Sequence, residues 1–171
     1  DDVPGGGIVE RAQRTVTSWL MRRSARTADL VVTVSQAAGS SIAAQLGVPA
    51  ERIRVVHNGS APPHPVSDPW PHLRPLGIEP GRRVLLSAGN RLPHKNFDGL
   101  LAALTSLPAR ERPLTVIPGG GEEDPLASLV ARCELGEDVV LPGWVSAEQL
   151  EALYSVATLY VCPSLAEGFG L

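Results

Sequence analysis

Apolar residues near the start of the chain fall three or four apart, at Ile8, Val9, Ala12, Val16, Trp19 and Leu20, while Arg11, Arg14, Arg22, Arg23 and Arg26 take the other faces. This spacing predicts a basic amphipathic helix. Leu30 to Val34 is a short β-branched run suited to a strand covered on both faces, and Ser35 is placed to cap a helix that ends near Gly47. Arg52 to Val56 supplies the next strand. Strand starts about 20 residues apart with a helix between them fit a parallel crossover unit.

The pattern then breaks. Between Ala61 and Gly81 lie seven of the sixteen prolines: Pro62, Pro63, Pro65, Pro69, Pro71, Pro75 and Pro80. Proline donates no amide and restricts its predecessor, so this stretch predicts a stiff interdomain connection and no central strand or helix. A second alternating series follows, with strands at Val84–Ala88, Leu114–Ile117, Val139–Leu141 and Thr158–Val161. Helices at Phe97–Leu107, Pro125–Cys133 and Ala147–Ala157 separate them. The implied class is α/β, a doubly wound parallel sheet with right-handed crossovers. Residues 1–57 are expected to be the end of one such domain, 58–82 a linker, and 83–171 a second domain truncated at its C-terminus. Two parallel strands cannot cover their own edges, so the first domain is expected to have earlier strands outside this sequence, and the chain reads as cut at both ends.

Composition narrows the chemistry. With 171 residues, 43% of them hydrophobic, the chain can build a real core. A net charge of −3 and 4% aromatic content argue against a general nucleic-acid binder, so any anionic ligand must be held by a few local cations. Cys133 and Cys162 sit in or beside apolar segments without metal-ligand spacing and read as buried thiols. No apolar run is of bilayer-spanning length and no signal-like segment opens the chain, which makes a cytoplasmic location the default expectation.

Ligands of open parallel sheets lie beyond the carboxyl ends of the strands. The loop after the strand Val84–Ala88, "GNRLPHKN", places Arg91, His94 and Lys95 beside a helix N-terminus, where cations, free amides and dipole together suit a phosphate. Alone it would read equally well as a solvated basic turn. "PGGGEEDP" looks like a phosphate loop but lacks a Gly-Lys-Ser/Thr ending. Glu122, Glu123 and Asp124 occupy the helix start and would repel an anion, so Gly119, Gly120 and Gly121 read as tight-turn or close-approach residues. In "PGWVS", Trp144 reads chiefly as packing on a neighbouring helix, with an edge beside a flat base as the alternative. In "AEGFGL", Glu167 follows the last strand, and Gly168 and Gly170 let backbone amides approach a ligand. Arg91, Lys95 and Glu167 are expected to converge at one end of one sheet, cations for a diphosphate and an acceptor for hydroxyls.

"ADLVVTVSQAAGSSIAAQLGVPAERIRVVHNG", "GNRLPHKN" and "LPGWVSAEQLEALYSVATLYVCPSLAEGFGL" together resemble, in order and spacing, the family 4 retaining glycosyltransferases of GT-B fold. The resemblance implies two Rossmann-like domains, an acceptor side and a nucleotide-sugar side, with this chain carrying most of the latter. It also implies transfer of a sugar from a nucleotide-diphosphate sugar to a sugar, lipid-linked or other hydroxyl acceptor, with retention and with neither a cofactor nor an obligatory metal. Lys95 matches the family's diphosphate-binding lysine. Arg91 resembles its arginine partner more loosely, because Asn90 intervenes after Gly89. Glu167 matches the first glutamate of a pair, and its partner would fall four residues past Leu171. Gly89, Gly168, Phe169, Gly170 and Leu171 are implied contacts to the donor, and Val145 a backbone contact to the base. A GT-B nucleotide-sugar epimerase and a non-catalytic nucleotide-sugar binding fragment are the competing functions. The isolated 171 residues are expected to be inactive, and peripheral membrane association of the parent protein stays open.

Overall fold

A computed structural model describes residues 8–60, 62, 66–121 and 123–170. The chain divides into two compact units, Asp1–Ser60 with Glu167–Leu171, and Ala61–Ala166.

In the first unit, α1 (Ile8–Thr27) leads to β1 (Val31–Thr33), α2 (Gln36–Leu46) and β2 (Ile53–Val55). β1 and β2 pair in parallel with Val31 opposite Ile53. Ser35 caps α2 by accepting the Ala38 amide, and the chain leaves the helix through Gly47 at φ 69°. The helix lies against the sheet at Gly39, where a β-carbon would stand 3.4 Å from both Thr33 and Ile53. Two-sided cover of the first strand does not hold among the described residues: Thr33 is buried, but Leu30 and Val32 are half or more exposed. The apolar side of α1 is likewise open at Val16, Trp19, Leu20 and Met21. Local periodicity made the helix; nothing in it required a partner for that face.

The second unit contains α3 (Trp70–Leu73), β3 (Val84–Leu86), α4 (Phe97–Thr105), β4 (Leu114–Val116), α5 (Ala127–Arg132), β5 (Val139–Val140), α6 (Ala147–Val156) and β6 (Ala157–Tyr160). Its four strands are parallel in the order β5-β4-β3-β6. β3 and β4 are buried along their full length, as parallel strands covered on both faces must be. On one face Leu85 and Ile117 meet Phe97, Leu100, Leu101 and Leu104 of α4 and Val130 of α5. On the other, Val84, Leu86, Leu114 and Val116 meet Leu73 of α3 and Ala152 and Leu153 of α6. Ser146 and Gln149 start α6 with a reciprocal capping box.

The expected linker is corrected here. Residues 70–76 form α3 and a following 3-10 turn (Arg74–Leu76), and Leu73 and Ile78 are fully buried against β3 and α6. Proline in the first turn of a helix removes no hydrogen bond, because that amide has no intrahelical partner anyway. Pro71 and Pro75 both occupy such positions. The C-terminal boundary also differs, since Glu167–Leu171 groups with the first unit. Of the two cysteines expected to be buried thiols, Cys133 is half-buried against the core, but Cys162, just past the edge strand β6, is exposed.

Candidate active site

The strand order of the second unit reverses at β3. From β3 the chain steps to β4 and β5 on one side, then returns through α6 to place β6 on the other. The loops after β3 and β6 therefore leave the sheet side by side, and between such loops an open parallel sheet forms its ligand crevice. The loop after β3 enters a 3-10 turn at Pro93–Lys95 and then α4 through Asn96 in the left-handed conformation, φ 54°. It is joined to the segment after β6 twice: the Leu165 amide donates to the His94 carbonyl at 2.8 Å, and the Asn96 side-chain amide donates to Pro163 O at 3.1 Å. Lys95 is half-buried in this loop. Its stem lies close to Gly89, where a β-carbon would stand 3.6 Å from Lys95 Cε.

Arg91 is placed differently from a surface phosphate ligand. Its side chain is 7% exposed and pairs with Asp124, itself 6% exposed, at 2.6 Å. Nη1 donates to Gly89 O at 2.8 Å and Nη2 to Ile117 O at 2.7 Å. The guanidinium also stacks over Phe97, 4.9 Å from the ring centre. Burial alone would raise the Asp124 pKa, but hydrogen bonds from Arg91 and the Leu126 amide, together with the Arg91 charge, hold it below the ordinary carboxylate range. The sequence shows a cation in a loop; it does not show the carboxylate 33 residues later that takes it inside.

The glycines after β4 serve close approach. Gly119 has φ 105°, its amide donates to Gly143 O at 2.7 Å, and a β-carbon there would fall 2.6 Å from Gly89 O. At Gly120 a β-carbon would overlap the Asp124 carboxylate. Glu123 is exposed and Asp124 belongs to Arg91; Glu122 lies outside the described residues. Trp144 does not pack as expected. It is 77% exposed in the loop after β5, with its indole nitrogen near Gly121, and Val145 beside it is half-buried. A cleft of about 390 Å³ opens between the starts of α4 and α5, lined in part by Arg91, Pro93, Phe97 and Leu126.

Glu167, Gly168, Phe169 and Gly170 are exposed and are described with the first unit. There the Ser35 hydroxyl donates to the Gly168 carbonyl, and the rings of Phe169 and His57 lie 5.7 Å apart. Leu171 lies outside the described residues. Sequence reasoning missed Asn96 as the joint between two loops and Asp124 as the partner of Arg91. An asparagine directly before a helical apolar run was the available signal for the first.

The family model for glycosyl transferases group 1 matches residues 70–171, and that for the glycosyl transferase 4-like domain matches residues 1–59. The chain belongs to the group 1 glycosyl transferases. The start of the group 1 match at Trp70 coincides with α3, so the proline-rich segment from there onward is part of the family domain. O-antigen chain mannosyltransferase B of Escherichia coli is 33% identical over 159 residues, 88% of this chain and 41% of that protein. An uncharacterized glycosyltransferase of Methanocaldococcus jannaschii is 26% identical over 147 residues, 82% of this chain and 38% of its own length. Among solved structures, sucrose-phosphate synthase from Thermosynechococcus elongatus superposes with a TM-score of 0.74 at 23% identity, over 92% of this chain and 40% of that one. The Anabaena protein HepE, solved with UDP and glucose, gives 0.71 at 26% identity, over 91% and 43%. These matches place the chain in the GT-B architecture over part of its relatives' length, about 40% of each. No described helix is long and apolar enough to cross a membrane.

Proposed function

We propose that this chain carries the donor-binding side of a retaining glycosyltransferase that moves a sugar from a nucleotide-diphosphate sugar to a hydroxyl acceptor. The observation that carries this reading is the reversal of strand order at β3, which sets the Lys95 loop beside the segment following β6. A lysine at that crevice is a point charge for the diphosphate, and the amides at the start of α4 favour the same anion. As the glycosidic bond breaks, negative charge grows on the departing diphosphate. A cation held there in advance stabilises that charge more than it stabilises the intact donor. Glu167 accepts from hydroxyls of the donor sugar and supports the oxocarbenium-like transition state; the Gly168–Gly170 backbone contacts sugar and phosphate, and the Val145 backbone contacts the base. Group 1 membership and a similar protein solved with UDP and glucose support this reading.

The test is titration of the 171-residue protein with UDP and with uridine. UDP should bind more tightly than uridine, and Lys95→Ala should weaken UDP alone by about 10–100-fold, the scale of a charged hydrogen bond. Equal affinity of wild type and Lys95→Ala for UDP would refute the assignment. In a form of the protein that turns over a nucleotide sugar, Glu167→Gln should lower transfer while leaving UDP affinity within a few-fold, and the product's anomeric configuration should match the donor's.

A further inference from the structure

Arg91 and Asp124 are an unusual way to join two loops. Withdrawing both charges from water carries a desolvation cost that is offset only when the geometry and the remaining hydrogen bonds are complete. Here they are extensive. Arg91 Nε and Nη2 donate to the carboxylate, Nη1 donates to Gly89 O and Nη2 to Ile117 O, and the carboxylate also accepts the Leu126 amide. One ion pair thus grips the ends of β3 and β4 and the approach to α5. Its grip on Gly89 matters most, because the Lys95 stem runs beside Gly89: a β-carbon built there would stand 3.6 and 3.7 Å from Lys95 Cε and Cδ, and 3.7 Å from the Phe97 ring that Arg91 covers.

We infer that Arg91 and Asp124 are positioning residues that act through Lys95, and that Arg91 is not itself a ligand of the diphosphate. Asp124 fixes the guanidinium, the guanidinium fixes the Gly89 carbonyl, and Gly89 fixes the track along which Lys95 reaches its ligand. Asp124 also compensates the Arg91 charge. The inference rests on Lys95 as the diphosphate's cation, and it makes a prediction of opposite sign from a ligand role for Arg91. A guanidinium that competed between Asp124 and a phosphate would be released by loss of the carboxylate and would bind phosphate more tightly.

The experiment compares wild type, Asp124→Asn, Lys95→Ala and the double variant by calorimetric titration with UDP and uridine, alongside hydrogen exchange at the Gly89, Lys95, Asn96 and Gly119 amides. Asp124→Asn should weaken UDP roughly tenfold, the scale on which contacting residues couple. It should leave uridine unchanged, and its effect should vanish in the Lys95→Ala background. Tighter UDP binding by Asp124→Asn, or a loss that persists without Lys95, overturns the inference. Arg91→Lys serves if Asp124→Asn does not fold: it keeps the charge but loses the fork, so UDP should weaken several-fold, whereas an unchanged affinity would mean that the fork positions nothing. If wild type does not distinguish UDP from uridine, the reading of Lys95 fails. The lock is then judged by exchange alone: faster exchange at Lys95 and Asn96 in Asp124→Asn upholds it, and unchanged exchange overturns it.

Discussion

Asn96 donates its side-chain amide to the Pro163 carbonyl at 3.1 Å while its own backbone is held at φ 54°. One residue therefore turns the chain out of the Lys95 loop into α4 and ties that loop to the segment that follows β6. Both tasks suit asparagine, which tolerates the left-handed region better than most residues and carries a donor. Asn96→Ala should cost about 2 kcal/mol, combining a lost hydrogen bond with a strained backbone. Asn96→Gly removes the hydrogen bond but not the conformational freedom, and should cost about 1 kcal/mol. Urea unfolding of the pair checks the ordering; equal losses would mean that backbone strain contributes little.

Gly119 admits no side chain. A β-carbon there would meet Gly89 O at 2.6 Å in a backbone conformation that L residues rarely adopt. Gly119→Ala should destabilise the protein by about 2–3 kcal/mol through strain of this kind, and should disturb the loop carrying Lys95. The unfolding midpoint, read together with UDP affinity, measures both effects.

Thr115 is fully buried in β4, and its hydroxyl has no hydrogen-bond partner among the described residues. Thr115→Val keeps the shape and removes an unsatisfied polar group, so it should be neutral or stabilise by about 1 kcal/mol. A clear loss of stability would mean that a partner such as an ordered water satisfies the hydroxyl.

Asp124 gives the protein a specific acid sensitivity. Its folded pKa lies below the ordinary value of about 3.9, so the folded state binds its proton less readily than the unfolded state does. Its stabilising contribution is present above about pH 4 and is lost as pH falls through the folded value. Asp124→Asn should lower stability at pH 7 by about 3 kcal/mol, since it leaves Arg91 buried without its charge partner. The gap to wild type should narrow below pH 4. Thermal unfolding from pH 2 to pH 7 tests this, and a gap independent of pH would exclude the carboxylate's charge as its source.

Ser146→Ala breaks the capping box that starts α6, because the Ser146 hydroxyl accepts the Gln149 amide while Gln149 accepts the Ser146 amide. The expected cost is about 1 kcal/mol, seen as a lower denaturation midpoint. No change would mean that water replaces the cap without loss.

Helices and strands of this chain were legible because their causes are local. Phe97, Leu100, Leu101 and Leu104 recur at helical spacing and all four are buried on one face. Ser35 and Gly47 bound α2 through bonds made within the helix and its own ends. The placement of "GNRLPHKN" after β3 followed from the same alternation, and so did the parallel α/β class. Proline misled between residues 70 and 78, because its local meaning depends on whether the missing amide had a partner to lose, and in a first turn it does not.

The amino-acid sequence by itself determined the order of elements and the loops in which chemistry can sit, because hydrogen bonding within helices, side-chain alternation and capping act over a few residues. Tertiary structure decided what each polar group in those loops is available to do. Arg91 meets Asp124 from 33 residues away, Asn96 meets Pro163 from 67, and Trp144 stays open where an apolar neighbour was expected. Whether a cation faces ligand or core depends on the group opposite it and on the water excluded between them. That energy arises between segments distant in the chain, and no local spacing encodes it.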